Sequence, residues 1–168
     1  FFAGCVATGI FGIGRKIPMN RVNDLGQREG YWRDSVGGGF VYDLYYKGGK
    51  KDGLYKRFYR NKLFLFGEYT ADNISGTWYM FGDEGELRCT IDSIELNKDS
   101  IYTGYCRIFC KYKCHSIDYY PSGAVKSEGY MVCDEEFEIE IWEIGEWKYY
   151  DESGNLIKTK DYGDRRTP

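Results

Sequence analysis

With 168 residues the chain holds one domain or one short repeat array. Aromatic residues make up 18%, with 22 Gly and only 3 Pro, and this strand-and-turn composition argues against a mainly helical chain. The net charge of −3 argues against nucleic acid as a partner, because its binders carry a basic surplus.

Residues 1–14, FFAGCVATGIFGIG, are apolar and rich in small side chains, and the chain turns basic at Arg15-Lys16. The stretch reads as the end of an export signal. Two cleavage sites are open. Phe2-Ala3-Gly4-Cys5 resembles a bacterial lipobox, with Cys5 as the lipidated first residue of a lipoprotein anchored to a membrane. Ala7-Thr8-Gly9 resembles an ordinary signal-peptidase site. The remaining alternative is a structured apolar strand. The expected location is the periplasm or the outer membrane, and the cytoplasm if this stretch is not a signal. Gly9, Gly12 and Gly14 do not make a phosphate loop, since no strand precedes them and no helix follows.

Residues 15–29 form a polar leader, in which Asn23-Asp24-Leu25-Gly26 has the composition of a hairpin turn. Residues 30–160 are the predicted repeat domain, and 161–168 a polar tail. Gly30, Gly53 and Gly76 are 23 residues apart, and Gly145 lies three such steps beyond Gly76. Each glycine is followed at +2 by an aromatic: Trp32, Tyr55, Trp78 and Trp147. The copies at 76–87 and 145–156 also share an aromatic at +5, Gly at +9 and Leu at +11. A fixed period of this length marks a repeat array. Each copy predicts a β-hairpin, with turns at Gly37-Gly38-Gly39, residues 47–52, Ala71-Asp72-Asn73 and Asp151-Glu152-Ser153-Gly154. The predicted strands between them are 40–46, 54–60 and 63–69. A lone hairpin is marginal in water, so each copy must pair with its neighbour. The fold expected is all-β: an elongated antiparallel sheet of repeated hairpins. The four glycines are expected at equivalent positions at strand starts.

The period degrades between residues 90 and 140. Strands are predicted at 89–96, 101–113, 116–120, 127–133 and 137–144, with turns at 97–100 and at Pro121-Ser122-Gly123. In the last of these strands Phe137-Glu138-Ile139-Glu140-Ile141 alternates strictly, as a half-buried strand does.

The pattern Gly-x-Trp-x-x-Tyr-(x3)-Gly-x-Leu resembles the MORN-like repeat, in the variant of bacterial proteins labelled YwqK-type antitoxins. The resemblance spans about residues 20–90 and 145–160. It implies a run of hairpins in one sheet, a bacterial source such as the Bacteroidetes, and a role in scaffolding, membrane association or toxin neutralisation. It carries no catalytic motif.

Candidate sites are few. Cys106, Cys110 and Cys114 stand beside His115, the only histidine. On a helix, this spacing would suit zinc. On a strand, residues four apart are separated by about 13 Å, too far for one ion. Buried thiols, disulfides and a metal site all remain open, with no metal expected. Cys89 and Cys133 complete the set, an odd number once Cys5 is set aside. His115 has no marked catalytic partner, and Glu135, Glu136, Glu138 and Glu140 read as a solvated strand face. Trp32, Tyr55, Trp78 and Trp147 pack as a core or, if exposed, form a row that stacks on a ligand. Residues 47–62 carry seven Lys/Arg against one Asp, and residues 134–146 seven Asp/Glu and no cation. If each forms a patch, it attracts a partner of opposite sign, with Lys50, Lys51 and Arg57 as the basic contacts. The sequence predicts no enzyme and no cofactor. It predicts a protein-binding or scaffolding module of the cell envelope. The alternatives are a glycan- or lipid-headgroup-binding module and an antitoxin-like protein bound to a toxin.

Overall fold

The computed structural model describes residues 18–97, 110–134, 137 and 141–163. Among them run eleven strands: β1 (Arg21–Val22), β2 (Arg28–Gly37), β3 (Phe40–Lys47), β4 (Lys50–Tyr59), β5 (Lys62–Thr70), β6 (Asn73–Phe81), β7 (Leu87–Leu96), β8 (Tyr112–Tyr119), β9 (Val125–Cys133), β10 (Ile141–Tyr150) and β11 (Leu156–Asp161). They form one open antiparallel sheet in which each strand pairs with the next in sequence. The all-β hairpin architecture expected from the period is therefore the fold. The pairing reaches into the leader at β1. Among the described residues no helix is long and apolar enough to cross a membrane.

The eight turns that lie wholly among the described residues are of two kinds. Four are two-residue turns: Gly38-Gly39, Gly48-Gly49, Arg60-Asn61 and Ala71-Asp72, all with positive φ at both positions, as a type I′ hairpin turn requires. Ala71 holds φ 48°, a conformation that costs a residue with a Cβ roughly 1–2 kcal/mol. The other four turns span residues 23–27, 82–86, 120–124 and 151–155. In each, the first residue's N–H donates to the last residue's carbonyl, and the fourth residue, a glycine, donates back to the first. In two of them the side chain of the first residue locks the loop. Asn23 Oδ1 accepts from the N–H groups of Leu25 and Gln27, and Asp151 Oδ1 accepts from those of Ser153 and Asn155. The turn at Pro121-Ser122-Gly123 thus repeats the one at 151–155, as their composition suggests.

Several strand boundaries differ from expectation, among them that of Phe137, which lies in a bend before β10 and not in a strand. β8 runs unbroken through Cys114 and His115, where the sequence suggests a break. β10 runs through Gly145 rather than ending before it. The repeat glycines are not strand starts. They sit inside even-numbered strands, all at positive φ. In β6 the three residues Gly76-Thr77-Trp78 lie between the pairs Ser75–Glu68 and Tyr79–Phe66, so they face Gly67 alone. In β10 the three residues Gly145-Glu146-Trp147 face Gly129 alone in the same way. In β4 the corresponding excess, Asp52-Gly53-Leu54, faces Tyr45, with the glycine one place later. Such bulges bend and twist the strand that carries them. Repeated along the array, they let a single sheet wrap its inner face around a core.

That core gathers Leu44, Tyr55, Leu65, Trp78, Ile91, Cys114, Met131 and Trp147 from successive strands, with Phe137 from the segment before β10. Trp78 is its centre, with no exposed surface. Its ring lies 5.4 Å from Tyr55, 5.3 Å from Tyr69 and 5.2 Å from Phe137. Beneath it sits Gly67, where an added Cβ would fall 2.1 Å from the indole. Trp147 covers Gly129 likewise, with a Cβ there 2.5 Å from its ring. Both indole N–H groups donate to backbone carbonyls, of Ser75 and Tyr130.

Candidate functional site

The +2 aromatics do not form an exposed row. Tyr55, Trp78 and Trp147 are buried, and at Trp78 and Trp147 the bulge rolls the side chain onto the glycine across the sheet. Trp32 is half-buried: its indole N–H donates to the Arg21 carbonyl, and the Arg28 guanidinium lies 4.5 Å over its ring. The series therefore packs, and a ligand stacking on it would meet only its margins.

The basic span does not face one way. Lys50 is exposed, whereas Lys51 is half-buried with Nζ 4.7 Å over Tyr69. Arg57 points inward and is 6% exposed. Its guanidinium lies 4.5, 5.3 and 5.5 Å from the rings of Phe40, Tyr42 and Phe64. It is a cation in an aromatic enclosure, not a surface contact, because strand alternation puts it on the face of Tyr55. Of the acidic span, Asp134, Glu143 and Glu146 are described. Glu135, Glu136, Glu138 and Glu140 lie outside the described residues, as do Cys5, the signal-like segment and Cys106.

Cys89, Cys114 and Cys133 are free thiols, and Cys110 is buried. Among the described residues no group of three or more His, Cys, Asp or Glu side chains is placed to hold a metal ion. His115 faces Asp92 across the β7–β8 pair, Nδ1 to Oδ1 3.4 Å, and packs on Tyr130. Cys114 and Cys133 are fully buried with their sulfurs 3.4 Å apart. The hydrogen bond to Cys114, and then burial, raise the Cys133 thiol well above its ordinary range. Burial pushes Cys89 from 9.0 up to about 12. The folded protein therefore holds protons that the unfolded chain releases above about pH 9. This contribution to stability is complete below that pH and is lost as pH rises towards about 12. The expected result is a denaturation midpoint that falls over this interval, less steeply in Cys89→Ser. A water-soluble maleimide at neutral pH should leave Cys114 and Cys133 unmodified until the protein unfolds, as mass spectrometry would show.

The outer face of the N-terminal strands holds the arrangement best suited to binding. Two adjoining hollows of about 370 and 410 Å³ meet at Tyr31 and Tyr45. Val22, Tyr45 and Leu54 stand 56%, 47% and 55% exposed along them. Among the described residues, Asp24, Glu29, Asp43, Asp52 and Glu68 line the same hollows, against Arg21 and Lys56. Asp43 is fixed by Arg33, Nε to Oδ1 3.0 Å. Burial, then the hydrogen bond to Asp43, push the Tyr31 hydroxyl up to about 12, so it stays a neutral donor. The repeat gives no signal for this face, since its residues occupy the positions between the conspicuous aromatics. No family model matches the chain, and no curated protein matches it.

Proposed function

We propose that the chain is a non-catalytic protein-binding module and that the outer face of β1–β5 is its docking surface, for a partner with a basic surface. The observation that carries this is the exposed Val22, Tyr45 and Leu54 beside Tyr31, flanked by five carboxylates and two cations. Interfaces are built this way, with an aromatic and aliphatic centre inside a polar rim. The acidic rim steers a cationic partner and sets specificity more than affinity. The export-signal reading of residues 1–14 and the MORN-like pattern support a partner in the bacterial envelope, with the chain as accessory subunit of a larger complex.

The test is a pull-down from the native envelope with wild type and with Tyr45→Ser/Leu54→Lys. Both positions are exposed, so the variant should melt within a few degrees of wild type. The expected result is a partner retained by wild type at low salt, weakened at high salt, and absent with the variant. Salt matters because exposed charges are screened over about 8 Å at physiological ionic strength. The same partners recovered in the same amounts by a folded variant would overturn the assignment.

A further inference from the structure

The inner face of the sheet is not filled along its whole length. Beside the core, where the turns at 82–86, 120–124 and 151–155 gather, it opens into a trough of about 520 Å³ crossing β5 to β10. Small-molecule sites fall within about 300–1,000 Å³. Ile91, Met131, Ser116 and Ser127 lie buried along it. Ser127 donates to Asp118 Oδ2 at 2.8 Å, and the Ser116 hydroxyl lies 3.3 Å from the Cys89 sulfur. Phe64, Phe81 and Tyr149 are half-buried aromatics on its sides. Among the described residues its charged groups are Arg88 and Lys126 against Asp118 and Glu143.

Each feature narrows the occupant. Among the described residues, two cations against two carboxylates balance, which favours neither an anion nor a cation. Carboxylates accept from hydroxyls, and Arg and Lys donate to them, which suits a ligand bearing many hydroxyl groups. The aromatic sides offer flat apolar faces, which a water-soluble polyol uses only if its ring has a C–H face of its own. Cys89, kept protonated, offers no nucleophile. We propose that this trough binds a short neutral saccharide without turning it over. The site is separate from the outer docking face, and either assignment can fail alone.

The test is calorimetry of the full chain with cellobiose, maltose and N,N′-diacetylchitobiose, alongside glucuronic acid, sialic acid, glycine and a dipeptide. The expected result is binding of at least one neutral disaccharide, with none of the charged or zwitterionic probes bound as tightly. Glu143→Gln keeps the shape of the side chain and removes its charge, and Tyr149→Ala removes an aromatic side. Each should weaken the saccharide by about tenfold or more. Val36→Ser, exposed on β2 and outside both sites, should leave it unchanged. Tighter binding of an acidic sugar or a zwitterion, no neutral saccharide bound at millimolar concentration, or equal binding by wild type and a folded Glu143→Gln would each overturn the proposal.

Discussion

Trp78→Ala should remove about 3–5 kcal/mol of stability, the range for truncating a buried aromatic. A domain of this kind has roughly 5–15 kcal/mol in total, so the variant should be marginal at 37 °C. The ring has no exposed surface and is wedged between Tyr55, Tyr69 and Phe137. No neighbour can swing in to fill the space, because Gly67 beneath it has no side chain. Gly67→Ala attacks the same contact from below. Its Cβ would lie 2.1 Å from the indole, and the ring has nowhere to retreat. Overpacking of this kind costs about 1–3 kcal/mol, occasionally more. The two effects should not add. In Gly67→Ala/Trp78→Ala the new methyl meets a cavity instead of a ring, so the double variant should lie close to Trp78→Ala alone. Chemical denaturation of the four proteins gives the coupling energy directly. Additive losses would show that the ring does not rest on Gly67. Gly129→Ala should behave as Gly67→Ala does, through Trp147.

The period of 23 residues was enough to read the hairpins and their turns, because those features are local. Gly-Gly pairs and the Pro121-Ser122-Gly123 run set backbone angles within four or five residues, and the structure places turns at both. The partners of the aromatics were not legible. Gly67 stands 9 residues before Gly76, whereas Gly129 stands 16 before Gly145. Their equivalence exists only in the cross-strand register, which the lengths of the intervening turns decide. The outer hollows and the inner trough escaped for the same reason, since their lining comes from five and six strands respectively. The break expected after Lys113 is absent, because β8 pairs without interruption from Tyr112 to Tyr119. In β8 Cys114 is an ordinary inward position, fully buried with its sulfur beside that of Cys133 on β9.

The three cations of the basic span sit in unlike surroundings, which yields a sharp expectation. Lys50, Lys51 and Arg57 look alike in the sequence, yet reversing them should give unlike results. Lys50→Glu changes an exposed side chain at the start of β4 and should alter stability by no more than about 0.5 kcal/mol. Lys51→Glu loses one cation–π contact with Tyr69, worth about 0.5–1 kcal/mol at a partly exposed site. Arg57→Glu sets a carboxylate under three aromatic faces whose quadrupoles repel an anion. It forfeits cation–π attraction of about 2 kcal/mol for a desolvated cation and adds a burial penalty of several kcal/mol. Arg57→Met, which keeps the length without the charge, should recover much of that loss, since the long stem still packs. Thermal melts of the four variants at low and high salt separate these effects. Salt should change the Lys50→Glu difference, because an exposed charge is screened, and should leave the Arg57→Glu difference nearly unchanged, because ions do not reach the enclosure. Equal, small and salt-sensitive shifts at all three positions would mean that Arg57 faces solvent after all, and the basic span would then again qualify as a single contact surface.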